Sequence, residues 1–249
     1  NEYTLKSMTI LVRSGPTPSE LMVTIQSPDE HQIIQRDEYN KAVFPVSGST
    51  KYTVDLIEGR YITLETGFES EWVSLAVPLS SNFYGTIEVP TGWHRLELRF
   101  MNEGTQVALH TVNPVGVGEV FIVAGQSNSA NSGDAPLTPT DSRVSTWGPS
   151  GWRFGYDPQP AATDNRGSPW PVAGDLLASR YDVPIGCLSV GYGGTQVDRW
   201  VPSQNDLFPR ITDALDAVEP NGARAILWHQ GESNAGGTAA EDYARRVGE

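Results

Sequence analysis

Three short apolar runs constrain this chain most: Glu119-Val120-Phe121-Ile122-Val123-Ala124, Ile185 to Val190, and Ala223 to Trp228. A run without polar alternation is the pattern of a strand buried on both faces, as in a parallel sheet covered by helices. Helical stripes lie between the runs. Val172, Ala173, Leu176, Leu177 and Tyr181 make one, and Phe208, Ile211, Leu215 and Val218 recur at steps of three and four. Strand, helix, strand, helix, strand predicts an α/β unit with a parallel sheet. Thr238-Ala239-Ala240-Glu241 has the form of a capping box and predicts a third helix, with Tyr243 and Val247 on one face.

The first 115 residues follow a different rule. Apolar and polar residues alternate in Met8–Val12, Leu21–Ile25, Tyr52–Leu56, Trp72–Val77 and Leu96–Phe100. Turn residues separate them at Ser14-Gly15-Pro16, Ser27-Pro28-Asp29, Glu58-Gly59, Pro90-Thr91-Gly92 and Asn102-Glu103-Gly104. This spacing predicts a β-sandwich. Two units are therefore expected, residues 1–115 and 116–249, joined at Val115-Gly116-Val117-Gly118. Residues 129–169 interrupt the second with a long stretch rich in Gly, Pro, Asn, Asp and Ser. Such a stretch is either an ordered loop over a site, which Trp147 and Trp152 favour, or a surface excursion with its own small core. Three strand–helix units make a thin sheet, so the second unit is expected to be cut in the middle.

Composition removes several function classes. The net charge is −13 over 249 residues, which repels phosphate backbones and anionic membranes, so no nucleic-acid partner is expected. No stretch approaches the ~18 apolar residues of a membrane span. The one cysteine, Cys187, excludes an internal disulfide and a cysteine-based zinc site, and within Ile185-Gly186-Cys187-Leu188 it reads as a buried structural thiol. Asn1 is not a natural start, so the sequence reads as a processed or trimmed product.

Ligands of an open parallel sheet bind beyond the C-terminal strand ends. The three runs end on Gly125-Gln126-Ser127-Asn128, on Gly191-Tyr192-Gly193-Gly194-Thr195, and on His229-Gln230-Gly231-Glu232-Ser233-Asn234. A serine at such an end can present its hydroxyl as a nucleophile. Gly193 or Gly194 can bring a backbone N–H to a developing oxyanion, and the Gln230 amide offers a further donor. These are the parts of acyl transfer.

Phe121 to Asn128 resembles the first conserved block of the SGNH hydrolase superfamily, closest to the branch of sialate O-acetylesterases and acetylxylan esterases. Gly193-Gly194-Thr195 with Trp200 resembles the second block, and Trp228 to Asn234, with Gln230-Gly231-Glu232, the third. The resemblance covers about residues 118–249. It implies a flavodoxin-like SGNH α/β fold, incomplete at the C-terminus, behind an all-β sandwich-like domain. It implies a serine esterase that removes O-acetyl groups from a carbohydrate through an acetyl-serine. Ser127 would be the nucleophile. The Ser127 N–H, one glycine of the 193–194 pair and Gln230 would form the oxyanion hole, and Glu232 would partner a histidine. Asn128 would brace the nucleophile turn, and Asn128, Trp200 and Asn234 would lie toward the substrate. Position 129, often Met in the family, is Ser129 here. The resemblance implies no metal or cofactor, and a secreted or periplasmic location.

The base is missing from this pattern. The family takes its histidine from an Asp-x-x-His block, and none of His31, His94, His110 and His229 has Asp three residues earlier. The first three read as surface or turn residues, and His229 belongs to the third block. A C-terminal segment or a separate polypeptide carrying Asp-x-x-His is therefore expected to supply the base. The alternative is an inactive carbohydrate-binding protein on an esterase-like scaffold, with Trp147, Trp152, Trp170 and Trp200 stacking on sugars.

Overall fold

The computed structural model describes residues 22–76, 81–204 and 206–249. The run Met8–Val12 and the turn Ser14-Gly15-Pro16 lie outside them. Among the described residues twelve strands and three α-helices follow in order: β1 (Val23–Ser27), β2 (Ile33–Gln35), β3 (Lys41–Thr50), β4 (Leu56–Thr63), β5 (Val73–Ala76), β6 (Asn82–Pro90), β7 (Gly92–Asn102), β8 (Thr105–Gly125), β9 (Val144–Gly148), β10 (Gly151–Phe154), α1 (Trp170–Tyr181), β11 (Ile185–Ser189), α2 (Phe208–Asp216), β12 (Ala225–His229) and α3 (Ala240–Val247).

The architecture is mostly sheet. A three-stranded antiparallel sheet, β1-β3-β6, faces a larger mixed sheet in the order β10-β9-β11-β8-β7-β4-β5, with β2 and β12 each paired to β8. Phe44 and Val46 of β3 and Phe83, Ile87 and Val89 of β6 pack on Ile57, Leu98 and Phe100 of the larger sheet. Their burial alternates along β6, as expected of a strand with one wet face.

β8 links the two kinds of pairing. From Thr105 to Val117 it runs antiparallel to β7, and from Glu119 to Gly125 it pairs parallel with β11 and β12. Its burial changes at the same place, from mixed exposure to unbroken burial from Val115 onward. The segment 115–118 thus lies inside one continuous strand. The parallel set is β9, β11, β8 and β12, and helix α1 packs against β9 and β11.

Several local expectations are corrected. Tyr52–Asp55 is a connection, and Glu58-Gly59 lies inside β4, because Leu56 to Thr63 pairs with Met101 to His94. Pro90-Thr91-Gly92 and Asn102-Glu103-Gly104 do join β6 to β7 and β7 to β8. On α1 the buried face is Trp170, Gly174 and Ala178, while Val172 and Leu176 are exposed. Gly174 decides this: a Cβ there would meet Val144 Cγ1 at 2.5 Å, so the helix lies too close to β9 for a larger residue. Thr238 does not cap α3; the N-cap is Ala239, and the Thr238 hydroxyl accepts from Asn234 Nδ2 at 2.8 Å. His94 is fully buried in β7, not on the surface.

The stretch 129–169 is ordered. It contributes β9 to the parallel sheet and closes over a buried polar cluster. Asn131 donates to the carbonyls of Gln159 and Asp164 and accepts from Gln159 N, while Asp157 accepts from Ser168 and Gln159. Every buried group of this cluster thereby gains a partner, which the loss of water requires.

Candidate functional site

The C-terminal ends of β8, β11 and β12 meet on one edge of the parallel set. Gly125, at φ +130°, makes the first turn possible, because a Cβ there would fall 2.0 Å from the His229 carbonyl oxygen. Gln126 N donates to that same carbonyl at 3.0 Å. Ser127 then opens a short 3-10 turn, Ser127–Ala130, closed by Asn131 in the left-handed region. Ser129 is fully buried and donates to the Ala124 carbonyl.

Ser127 is half-buried, and among the described residues its hydroxyl has one neighbour in hydrogen-bond range, Gln126 Nε2 at 3.5 Å. Among the described residues no histidine reaches it. His94 is packed in β7 with Nε2 on the Pro90 carbonyl at 2.8 Å, and burial lowers its pKa to about 4 despite that bond. His229 is exposed at the end of β12, with Nε2 3.9 Å from Glu232 Oε1. Glu232 is exposed as well.

The two glycines differ. Gly193 N donates to Thr163 Oγ1 at 3.1 Å. Gly194, at φ +69°, has open space where a Cβ would stand, and its N–H finds no acceptor among the described residues. The Ser127 N–H is likewise free of an acceptor among them.

Gln230, expected as an oxyanion donor, is engaged within the protein. Its Nε2 lies 2.9 Å from Gln126 Oε1, 2.8 Å from the Thr195 carbonyl and 2.8 Å from Asn234 Oδ1. Three acceptors compete for two hydrogens, so the amide has none left for a substrate oxygen. It ties the three strand ends together instead. Gln126, which the sequence reading passed over, is the counterpart: its buried Oε1 accepts from Gln230 Nε2 and from Ser233 N at 3.0 Å.

Two residues expected near the substrate belong to the scaffold. Trp200 is 4% exposed, stands edge-on to Trp228 at 5.4 Å, and donates Nε1 to Thr195 Oγ1. Asn234 is buried and accepts from Val197 N at 3.0 Å. Asn128 also departs from expectation. It is exposed and its amide has no partner among the described residues, while the nucleophile turn is held by Gln126, Ser129 and Asn131. Signals for these roles were weak, since each depends on a partner far away in the chain. Cys187 is buried as expected, and burial pushes its thiol up to about 12.

A family model described as carbohydrate esterase, sialic acid-specific acetylesterase matches residues 117–249. The chain belongs to this family. Carbohydrate acetylesterase activity is thus the general activity of the group, and the matched span carries all three strand ends. No curated protein matches the chain. Among solved structures, a protein from Arabidopsis thaliana is 18% identical with a TM-score of 0.42, over 52% of this chain and 64% of its own length. The sulfur carrier protein SoxY from Chlorobium limicola f thiosulfatophilum is 14% identical with a TM-score of 0.24, over 39% of this chain and 79% of its own. Both scores are too low to carry an argument. Among the described residues, no cluster of three or more His, Cys, Asp or Glu is placed to hold a metal ion, and no helix is long and apolar enough to cross a membrane.

Proposed function

We propose that this carbohydrate esterase removes acetyl groups through Ser127, with the Ser127 and Gly194 N–H groups forming the oxyanion hole. The observation that carries this reading is the occupancy of the donors. Gly193 is taken by Thr163 and Gln230 by three internal acceptors, whereas the N–H groups of Ser127, at the end of β8, and of Gly194, at the end of β11, have no acceptor among the described residues. Ser127 Oγ attacks the acetyl carbonyl, its proton passes to a base, and the negative oxygen is held by the two N–H groups. The sugar alkoxide leaves with a proton, and water then releases acetate. Donors fixed before the reaction are worth more than donors that must be reorganised during it.

The base in this proposal arrives on a polypeptide segment carrying Asp-x-x-His, because a serine hydroxyl unaided is a poor nucleophile at neutral pH. The binding-protein reading is favoured by the absence of a histidine contact to Ser127 among the described residues. It loses its aromatic support, since Trp170 and Trp200 are buried and Trp147 and Trp152 pack against the core.

An activated acetyl ester separates the two readings. Both acylation and deacylation need the base, so the chain alone should react slowly with p-nitrophenyl acetate and retain the acetyl group. Mass spectrometry of the digested protein should place it on the peptide containing Ser127, and Ser127→Ala should abolish it. Acetylation spread over other residues, with Ser127 unmodified, would refute the esterase reading.

A further inference from the structure

Gln126 stands directly before Ser127 and is 3% exposed. Its backbone N–H is held by the His229 carbonyl at 3.0 Å, so its side chain starts from a fixed point. Its Oε1 faces three donors from the end of β12: Gln230 Nε2 at 2.9 Å, Ser233 N at 3.0 Å and Gly231 N at 3.4 Å. A backbone N–H can donate only to the oxygen of an amide, so the Gln126 amide has one orientation. Its Nε2 is thereby turned to Ser127 Oγ, 3.5 Å away. We propose that Gln126 is the side-chain donor of the oxyanion hole, in place of Gln230, and that Gln230 is the clamp that aims it. This rests on the esterase reading of Ser127 and adds a catalytic residue to it.

When Oγ bonds to the acyl carbon, the negative oxygen sits on that same carbon, two bonds from Oγ. A donor 3.5 Å from Oγ stands within reach of it. That contact is long for a neutral pair, whereas an N–H facing a charged oxygen closes to about 2.7–2.9 Å. Hydrogen bonds of a resting active site commonly tighten in this way as the reaction proceeds. The amide therefore gains more from the transition state than from the free serine, which is the condition for lowering a barrier. It carries two hydrogens, so one can stay on Oγ while the other meets the acyl oxygen.

The clamp explains why this donor is held ready. Gln230 Nε2 also faces the Thr195 carbonyl and Asn234 Oδ1, each at 2.8 Å, and Asn234 Oδ1 accepts from Val197 N at 3.0 Å. Gln230 is thus tied to the segment after β11 as well as to Gln126. Three donors on one oxygen leave the Gln126 amide little freedom, so aiming it at the charge costs no reorganisation during the reaction. Its burial leaves little water to compete for Nε2. The two glutamines divide the work: Gln230 spends its hydrogens inside the protein, and Gln126 keeps its own beside the nucleophile.

An oxygen ester and its sulfur analogue separate this role from mere support of the loop. p-Nitrophenyl acetate and the thiono ester, with C=S in place of C=O, acylate Ser127 by the same step. Oγ bonds to the acyl carbon, p-nitrophenolate leaves with the electron pair of its bond, and the hydroxyl proton passes to a buffer base. Charge builds on oxygen in one and on sulfur in the other, and sulfur is a weak hydrogen-bond acceptor. Mass spectrometry follows transfer to the Ser127 peptide, with Ser127→Ala as background. Gln126→Met should slow acetyl transfer about 100-fold and thionoacetyl transfer less than about tenfold, so the oxygen-over-sulfur ratio falls. Gln126→Glu keeps the size and an oxygen for Ser233 and Gly231, and should lower the ratio likewise. A residue that only supports the loop would slow both esters alike. An unchanged ratio in either variant, with its fold confirmed by circular dichroism, overturns the proposal and leaves acetyl transfer to Ser127 standing. No transfer of either group to Ser127 in the unaltered chain refutes the esterase reading itself, and this proposal with it.

Discussion

Glu119 offers the most direct test of how the chain couples its two kinds of sheet. It is 2% exposed at the start of the parallel part of β8 and receives Gln35 Nε2 and Arg36 Nε at 2.8 Å and Arg224 Nε at 2.6 Å. The partners are Gln35 at the end of β2, Arg36 directly after it and Arg224 directly before β12, so one carboxylate joins three neighbouring strands. Glu119→Gln keeps the shape, removes the charge and turns an amide NH2 toward a guanidinium. Breaking a buried pair costs about 3–5 kcal/mol, and the lower end applies here because Arg224 is 50% exposed and regains water while Arg36, at 18%, regains less. The expected loss is about 3 kcal/mol, or roughly 6–12 °C in Tm for a chain of this size. Urea unfolding followed by circular dichroism measures it, with an unchanged slope as the check on two-state behaviour.

The same residue predicts a pH dependence. Burial pushes the Glu119 carboxyl up, but the hydrogen bonds from Arg224, Gln35 and Arg36 outweigh it and hold it below its ordinary 4.5. The unfolded chain therefore takes up this proton first. The stabilisation is fully present above 4.5 and disappears as pH falls through the lower folded value. Glu119→Gln should flatten that acid limb. A loss under about 0.5 kcal/mol at neutral pH, or an unchanged acid limb, would refute the reasoning that the charge is desolvated and paired.

His94 should titrate in the opposite sense of charge but the same direction of stability. Its folded value of about 4 lies below the ordinary 6.5, so the unfolded state binds more protons between them, and up to about 3 kcal/mol is lost as pH falls from 6.5 to 4. Its ring signals in NMR should remain those of the neutral form down to about pH 5, and titration near 6.5 would contradict the burial argument. Trp200→Phe should cost about 2 kcal/mol through the lost bond to Thr195 and lost contact with Trp228, without altering the affinity for any acetylated sugar. A selective loss of sugar binding at unchanged stability would return Trp200 to the substrate.

The sequence by itself determined the features whose cause is local. The unbroken apolar runs at 119–124 and 185–190 became strands buried on both faces, and a serine, two glycines and a polar third segment stand at the strand ends because each directly follows its strand. The resemblance carried by those same short blocks placed the chain in its family. Tertiary structure decided what depends on distant partners. β9 has an unremarkable sequence and becomes a strand because β10 and β11 pair with it on either side. The buried face of α1 follows from the closeness of Val144 to Gly174, not from the helical stripe. The oxyanion donors could not be assigned from residue type, because a hydrogen bond once made removes a donor from chemistry. Gly193 is removed by Thr163, thirty positions away, and Gln230 by Gln126, 104 positions away. Side-chain identity fixes which bonds a residue can make, and the fold alone fixes which of them are already made.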